Sequence, residues 1–345
     1  MNYKSNFNNV ILLFFILVIT GCSDTTNYDV IIENGTVYYG SGSNPIAIDI
    51  GIKEQVIHKI GDLSNANAKR RIDASGLTVA PGFIDMHAHL DPILELSDCE
   101  SMLRQGVTTA LGGPDGNSPW PFGAYLKKLD SIGIGMNVGY LVGHNKVRRN
   151  VMNLDNRTPS TGELNAMKTQ IKTAMDEGAF GISTGLKYLP GAFSEIDEVI
   201  SLSRVAAANG GIYTSHLREE GLGLFSAVRE AITISNDADI PVILTHHKAI
   251  GKPMWGKSTV TLAMVDSART AGLDIKIDQY PYNASYTGIS ILIPAWARAG
   301  GNSAFKTRLQ NPTLRDSIKA GIIFNIENDR GGNDLTRVQF AKVAW

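Results

Sequence analysis

Histidine is the residue type whose placement in this 345-residue sequence points most directly to chemistry. His87 and His89 are two positions apart, so on a strand both side chains point to the same face. His216 and His246 each follow an apolar, strand-like run. Neutral imidazole is the commonest protein ligand of zinc and similar ions. We therefore expect these four residues to hold one or two divalent metal ions. The chain has seven histidines in all, at positions 58, 87, 89, 144, 216, 246 and 247.

A metal held in this way would favour hydrolysis of an amide or an ester. A bound divalent ion lowers the pKa of its water from about 15.7 to about 7, and it also polarises a carbonyl oxygen. A carboxylate is needed to take the proton from water and pass it to the leaving amine. The other three histidines are weaker candidates. His58 is typical of a surface or core residue, and His144 has no evident partner. His247 points away from its neighbour His246, so we expect it to face the substrate or to support a ligand instead of binding the metal.

The elements that would position the histidines alternate between strands and helices. This alternation predicts a parallel sheet, and seven strands suit an α/β fold of the (β/α)8 TIM-barrel type, whose site lies at the C-terminal strand ends. A doubly wound sheet ranks second, because its G-x-G-x-x-G motif is missing. The predicted strands are 83–89, 107–112, 136–142, 179–184, 211–216, 241–247 and 273–280. The predicted helices lie near 94–105, 122–131, 161–177, 195–209, 223–235 and 258–271.

The composition is that of an ordinary globular protein. Lys and Arg number 32 against 33 Asp and Glu, which gives a net charge of -1, and 43% of residues are hydrophobic. These values exclude a disordered chain and argue against a nucleic-acid partner bound through a basic face. With two cysteines there is no disulfide framework, and Cys99 is expected to be a buried filler on a helix.

The N-terminal segment predicts export. The apolar run 10–19 is too short to span a bilayer and is typical of a signal peptide over 1–21. The ending Ile-Thr-Gly-Cys22 resembles a bacterial lipobox, which predicts a membrane-anchored lipoprotein on the periplasmic or cell-surface side with a polar tether over 22–28. An ordinary signal peptide is the alternative. A small β-sandwich-type domain over 29–81 would follow, with a hairpin at Asn34-Gly35.

Five segments give the chain, from about residue 29 onward, a family resemblance. They are APGFIDMHAH (80–89), GISTGLKYLPG (181–191), GGIYTSHLREEG (210–221), THHKAIG (245–251) and DQYPYNASYT (278–287). On these motifs the chain resembles the amidohydrolase superfamily and, within it, the N-acyl-D-amino-acid deacylase (D-aminoacylase) family. The H-x-H motif is shared across the superfamily, whereas the later segments are much more specific. The resemblance implies a zinc-dependent hydrolase that converts a small-molecule N-acyl-D-amino acid to a carboxylate and a free D-amino acid.

The same resemblance assigns roles to individual residues. It places His87 and His89 on one metal site and the pair His216 and His246 on the other. It assigns Lys248 and Tyr280 to the α-carboxylate of the substrate, and an ammonium opposite a carboxylate suits that task.

The sequence departs from the family at the bridging position. In the family the G-V-T-T segment leads to a metal-bridging cysteine, and here Asp115 occupies that position. A carboxylate can bridge two divalent ions, so we expect Asp115 to be a ligand. One alternative is that Asp115 is only the turn residue of Pro-Asp-Gly. The other is that Lys187 forms the bridge, as carboxylated lysines do elsewhere in the superfamily.

Two further departures concern the end of the chain. Tyr286 stands where the family has a carboxylate-binding serine. By the resemblance, the general-base aspartate belongs on the eighth strand, and neither the predicted helix near 303–319 nor the predicted strand 321–327 supplies it. We therefore expect that aspartate beyond Trp345, with residues 82–345 forming a barrel that lacks its eighth strand in a C-terminally truncated chain. The alternatives are a cyclic-amide hydrolase of the dihydroorotase or hydantoinase type, or an inactive barrel on a lipoprotein anchor.

Overall fold

The computed structural model describes residues 26–329, 334, 336 and 338–341. They divide into two compact units, with the boundary between Pro81 and Gly82. The predicted signal peptide and Cys22 lie outside the described residues. Within the part of the chain that the structure describes, no helix combines the length and apolar character that crossing a membrane requires.

The first unit consists of two small sheets. Their strands are β1 (Asn27–Glu33), β2 (Thr36–Val37), β3 (Ile46–Ala47), β4 (Asp49–Lys53), β5 (Val56–Gly61), β6 (Asn67–Asp73) and β7 (Thr78–Val79). One sheet has the order β5-β4-β1-β6 and the other the order β3-β2-β7. Tyr28, Ile31 and Leu63 form a buried apolar cluster. Because β1 begins at Asn27, the last two residues of the predicted tether belong to the sheet.

The predicted hairpin at Asn34-Gly35 is wrong. Asn34 has the left-handed backbone that the motif favours, with φ 63. The turn nevertheless passes the chain from one sheet to the other, since β1 pairs with β4 and β6 while β2 pairs with β3 and β7. The amide of the Asn34 side chain donates to Asp73 at 3.0 Å, and this bond holds the turn over the end of β6. A long-range bond therefore decides the path of the chain here.

The second unit contains a run of parallel strands. They are β8 (Phe83–Asp85), β9 (Val107–Gly112), β10 (Asn137–Tyr140), β11 (Val142–Gly143), β12 (Gly181–Gly185), β13 (Ile212–His216), β14 (Val242–Leu244) and β15 (Ile275–Ile277). They join in the orders β8-β9-β10 and β11-β12-β13-β14-β15, and every pair is parallel. Only Leu141 separates β10 from β11, so the two sheets share the third predicted strand in two pieces. Each of the seven strands predicted between residues 83 and 280 has a counterpart in the structure, as a TIM-barrel-like α/β fold requires.

Helices follow these strands. They are α1 (Glu100–Leu103), α2 (Phe122–Ile132), α3 (His144–Met152), α4 (Thr161–Asp176), α5 (Ile196–Ala207), α6 (Leu224–Ala238), α7 (Ser258–Thr270), α8 (Gly301–Gln310) and α9 (Pro312–Phe324). Ser160 caps α4 in a capping box with Glu163. The helices bury their apolar faces in one core that contains Ile171, Val199 and Val228. Cys99 is buried as expected, at the start of the short α1.

The predicted strand over 321–327 is wrong, because these residues continue a helix. Asn311 caps α9 by accepting from the N–H of Leu314 at 3.1 Å, which also splits the helix predicted near 303–319 in two. A π-helix over Asn325–Asp329 extends α9. A short apolar run is compatible with a strand or with a buried helix, and here the N-cap at Asn311 favours the helix. The helical path brings Asp329 to within 3.0 Å of Lys187.

Candidate metal centre

The predicted histidines lie at or just beyond the C-terminal ends of three strands. His216 is the last residue of β13, and His246 lies two residues after β14. The strand predicted to carry His87 and His89 ends earlier, at Asp85. It ends there because the Asp85 carboxylate accepts from the N–H of His87 at 3.0 Å, which bends the chain. Both imidazoles still reach the same place, with ring centroids 5.3 Å apart.

All four imidazoles converge on the carboxylate of Asp115. Its Oδ1 lies 3.6 Å from His87 Nε2, 3.5 Å from His216 Nδ1 and 3.6 Å from His246 Nε2. Its Oδ2 lies 3.4 Å from His89 Nε2. Asp115 does sit in the Pro-Asp-Gly turn, with φ 56, and that turn aims the carboxylate at the imidazoles. The structure therefore brings together all five residues that the sequence selected.

The spacing of these atoms fits a divalent ion. Zinc binds nitrogen and oxygen at about 2.0–2.1 Å, so two ligands of a tetrahedral ion lie about 3.3 Å apart. Among the described residues, Asp115 Oδ1, on which three of the imidazoles converge, is a buried polar atom without a hydrogen-bond partner, as an open ligand position would be. His246 Nε2 and His216 Nδ1 are closer, at 2.8 Å. These two atoms would have to separate by about 0.5 Å for both to bind one ion.

The candidate ligands fall into two groups of three. His87, Asp115 and His246 form one group, and His216, Glu220 and His246 form the other, each with ligand atoms within 4.8 Å of one another. His246 belongs to both groups, which differs from the pairing that the resemblance implied. Glu220, a buried carboxylate in the loop after β13, was not among the residues predicted from the sequence. Its position four residues after His216 was the available signal.

Glu220 also contacts the predicted substrate-binding residues. Lys248 Nζ donates to Glu220 Oε1 at 2.6 Å and lies 2.8 Å from His246 Nδ1. The same ammonium lies 5.6 Å from the ring centroid of Tyr280. Lys248 and Tyr280 therefore meet beside the metal centre, and Glu220 fixes the position of the ammonium. Tyr286, at the place of the family's serine, is exposed.

The residues of the cluster differ in how their surroundings shift their pKa values. Burial, partly offset by Asp115, lowers the pKa of His87 to about 4, so its imidazole is neutral and able to bind a metal. Burial also acts to lower the pKa of His246, but the neighbouring carboxylates of Asp115 and Glu220 outweigh it and raise the pKa to about 9. Burial acts to raise the pKa of Asp115, yet the imidazoles of His216, His246 and His89 hold it well below its usual range. Asp115 is therefore an anion.

Lys187, the alternative bridge, is held by two carboxylates instead. Its Nζ lies 2.6 Å from Glu219 Oε1 and 3.0 Å from Asp329 Oδ2. Asp329 was not selected from the sequence, since it lies just beyond the predicted strand 321–327 and outside the motifs that carry the resemblance. The contacts of Lys187 place it in a separate ion cluster beside the centre.

The remaining histidines have other partners. His144 is fully buried, and its Nε2 lies 2.7 Å from a carboxylate oxygen of Glu198 on α5. His247 Nε2 lies 2.7 Å from Thr261 Oγ1 on α7, so it faces a helix and not the centre. His58, in the first unit, is exposed and packs edge-on against Tyr28. These contacts lie outside the cluster around Asp115, and Glu198 is a partner of His144 that the sequence did not indicate.

A cavity of about 590 Å³ opens beside the centre. Tyr188 connects the two, since it lines the cavity and its ring lies 4.5 Å from that of His216. Much of the wall is apolar and comes from the segment after Tyr286, including Ile291 and Trp296. Cationic side chains, among them Arg298, also reach it. The cavity can therefore take an organic group next to the metal site.

Comparison with known proteins identifies the family of this chain. The model of the family described as "Amidohydrolase family" matches residues 70–261, more than half of the chain. The chain belongs to the amidohydrolase family. This amidohydrolase is 37% identical over 289 residues to a D-aminoacylase of Alcaligenes xylosoxydans xylosoxydans, across 77% of this chain and 60% of that protein. It is 39% identical over 289 residues to an N-acyl-D-glutamate deacylase of the same organism, across 77% of this chain and 59% of that protein.

A solved structure agrees with these similarities. It is an N-acyl-D-glutamate deacylase from Bordetella bronchiseptica, complexed with zinc and a phosphonate inhibitor that mimics the tetrahedral intermediate of the reaction. The TM-score is 0.72 at 35% identity, over 74% of this chain and 59% of that chain. The amidohydrolase thus spans about 60% of the length of the curated relatives it matches.

Proposed function

We propose that this amidohydrolase is a zinc-dependent N-acyl-D-amino-acid deacylase. It would hydrolyse the linear amide of its substrate to a carboxylate and a free D-amino acid. The observation that carries the proposal is the convergence of four imidazoles on the buried carboxylate of Asp115, at 3.4–3.6 Å. The similarity to D-aminoacylase, and to a deacylase that carries zinc, supports this chemistry over cyclic-amide hydrolysis.

Each residue of the centre has a role in this proposal. His87, His89, Asp115, His216 and His246 hold one or two zinc ions. When bound, zinc supplies a water of lowered pKa and a Lewis acid for the carbonyl oxygen. Such binding needs neutral imidazoles and an ionised carboxylate. Burial lowers the pKa of His87 and so keeps its imidazole neutral.

Substrate binding falls to the residues beside the metal. Lys248 and Tyr280 bind the α-carboxylate, and Glu220 holds the Lys248 ammonium in place at 2.6 Å until the substrate arrives. The cavity beyond Tyr188 takes the acyl group or the amino-acid side chain. Its wall excludes water from one side of the reacting amide, which strengthens the electrostatic contacts there.

The finer architecture is also a proposal. Among the described residues β8 and β15 have no pairing partner on their outer edges, and Phe83 and Ile84 are exposed. An eighth strand between them would close the barrel and bring the general-base aspartate that the resemblance implies. We also propose that the sheets of the first unit form a β-sandwich-type domain. A lipid on Cys22 would anchor the exported protein to the membrane surface.

The test is hydrolysis by the full-length, zinc-loaded protein. N-acetyl-D-amino acids with apolar, acidic and basic side chains are incubated beside their L enantiomers, and release of free amino acid is measured. We expect release from D substrates only, and its loss in His216→Ala. Hydantoin and dihydroorotate form a second arm. Opening of either ring without hydrolysis of any N-acyl-D-amino acid would favour the cyclic-amide alternative.

A further inference from the structure

Two residues of the metal centre have a left-handed backbone. Asp115 has φ 56 and His246 has φ 38. For a residue with a side chain this conformation is unfavourable, and it persists only where the surroundings enforce it. In both cases the conformation directs a candidate ligand into the cluster. The contacts that hold each backbone therefore bear on how well the metal is held.

One hydroxyl holds the Asp115 turn from both sides. Ser183, which is fully buried on β12, donates from Oγ to the carbonyl oxygen of Gly113 at 2.6 Å. The same Oγ accepts from the N–H of Gly116 at 3.1 Å. The two bonds flank Pro114 and Asp115 and tie the turn to a central strand of the sheet. Rotation of the peptide units around Asp115 would break at least one of them.

Close packing leaves the turn little other freedom. A Cβ on Gly116 would lie 2.2 Å from Asn145 Oδ1, and a Cβ on Gly185 would lie 2.2 Å from the carbonyl oxygen of Asp115. The turn is thus enclosed by α3 and by the end of β12. Within this enclosure, the Ser183 hydroxyl is the side chain that bonds to the backbone on both sides of Asp115.

We propose that Ser183 is a positioning residue of the metal centre, whose hydroxyl holds the Asp115 turn so that the carboxylate faces the imidazoles. The inference rests on the proposed metal centre. It adds to that centre a residue that binds no metal itself but holds a ligand in position.

The experiment compares Ser183→Ala with Thr214→Val in the full chain. Thr214 lies directly opposite Ser183 in the register of β12 and β13, is equally buried, and among the described residues has a hydroxyl without a hydrogen-bond partner. The probe is Co²⁺, followed by its visible absorption and by competition with a chelator. We expect affinity to fall about 10–100-fold in Ser183→Ala, with an altered spectrum, as loss of supporting bonds does in other metal sites. Thr214→Val should match the wild type.

A double-mutant cycle separates positioning from general stability. In an Asp115→Asn background the ligand is already impaired, so removal of the Ser183 hydroxyl should cause little further loss of Co²⁺ affinity. A merely structural role would lower the melting temperature and the affinity equally in both backgrounds. If Ser183→Ala does not fold, Ser183→Cys is used instead, because it keeps the side-chain size and bonds only weakly.

The outcomes are distinct. Wild-type protein that binds Co²⁺, with Ser183→Ala and Ser183→Cys showing the same affinity and spectrum, overturns this inference alone. Equal losses in both backgrounds of the cycle overturn it as well. Wild-type protein that binds no Co²⁺ overturns the proposed function and the inference with it.

Discussion

The buried carboxylate of Glu220 lies 3.1 Å from Nδ1 of His246, the imidazole shared by both groups of candidate ligands. A carboxylate at the second nitrogen of a metal-binding histidine fixes the tautomer and raises the basicity of the ligand nitrogen. The surrounding cations also act on Glu220. Although burial acts to raise its pKa, His246, His216 and Lys248 lower it to about 2. Glu220 is therefore ionised whenever the protein is folded at neutral pH.

Glu220→Gln should weaken metal binding. The amide no longer offers a charged acceptor to His246, so we expect zinc affinity to fall about 10–100-fold. The measurement is competition with a chelator. Glu219→Gln is the matched control, because the neighbouring carboxylate pairs with Lys187 and is more exposed. Equal affinity in Glu220→Gln and the wild type would contradict the role given to Glu220.

Metal binding should release protons and strengthen as the pH rises. The pKa of His246 is raised from 6.5 to about 9, so at neutral pH the metal must displace a proton from it. The affinity for zinc should increase up to about tenfold per pH unit between pH 6.5 and about 9. Calorimetry in two buffers of different ionisation enthalpy counts the protons released. His58→Gln, an exposed position in the first unit, should leave the count unchanged, and a count of zero in the wild type would exclude this coupling.

The raised pKa of His246 should also make the metal-free protein less stable as the pH rises. Because folding raises the pKa of His246, its protonation stabilises the fold fully below pH 6.5, and that stabilisation is lost as the pH rises to about 9. Melting temperatures of the metal-free protein across this range should therefore fall. The fall should be smaller in His246→Gln.

Lys248→Met should impair substrate binding more than catalysis. Loss of the ammonium removes the proposed partner of the α-carboxylate, so we expect KM to rise about 10–100-fold, in line with about 1.5–3 kcal/mol for a charged hydrogen bond. Steady-state kinetics on an N-acetyl-D-amino acid provide the measurement, with metal content determined in parallel. The control is Lys276→Met, an exposed lysine paired with Asp274. An unchanged KM at full metal content would remove Lys248 from the carboxylate site.

Glu198→Ala should destabilise the fold without changing the metal site. The Glu198 carboxylate is buried between His144, at 2.7 Å, and the fully buried Arg148, at 3.5 Å. Removing it leaves a buried guanidinium without its carboxylate, which costs about 3–5 kcal/mol. Urea denaturation measures the free energy of unfolding. A loss below about 1 kcal/mol would show that the ion network contributes little.

The sequence predicted those parts of the molecule that local patterns encode. Apolar runs located the parallel strands, and His216 and His246 could be placed because strand ends share one face of the fold. Glu220 was missed although its position four residues after His216 was a signal. The ion pair between Lys187 and Asp329 could not be predicted, because a helix extension brings these two residues together. The hairpin failed for a related reason, since bonds distant in sequence decide where the chain turns after Asn34.

Zinc stoichiometry tests the central claim most directly. The purified protein is dialysed against buffered zinc, and bound metal is measured by atomic absorption for the wild type, for Asp115→Ala and for the surface control Lys276→Met. We predict one or two tightly bound zinc ions per chain in the wild type and the control, with loss of at least one in Asp115→Ala. A folded wild-type protein without bound zinc, or an Asp115→Ala variant with the full complement, would contradict a metal centre built around Asp115.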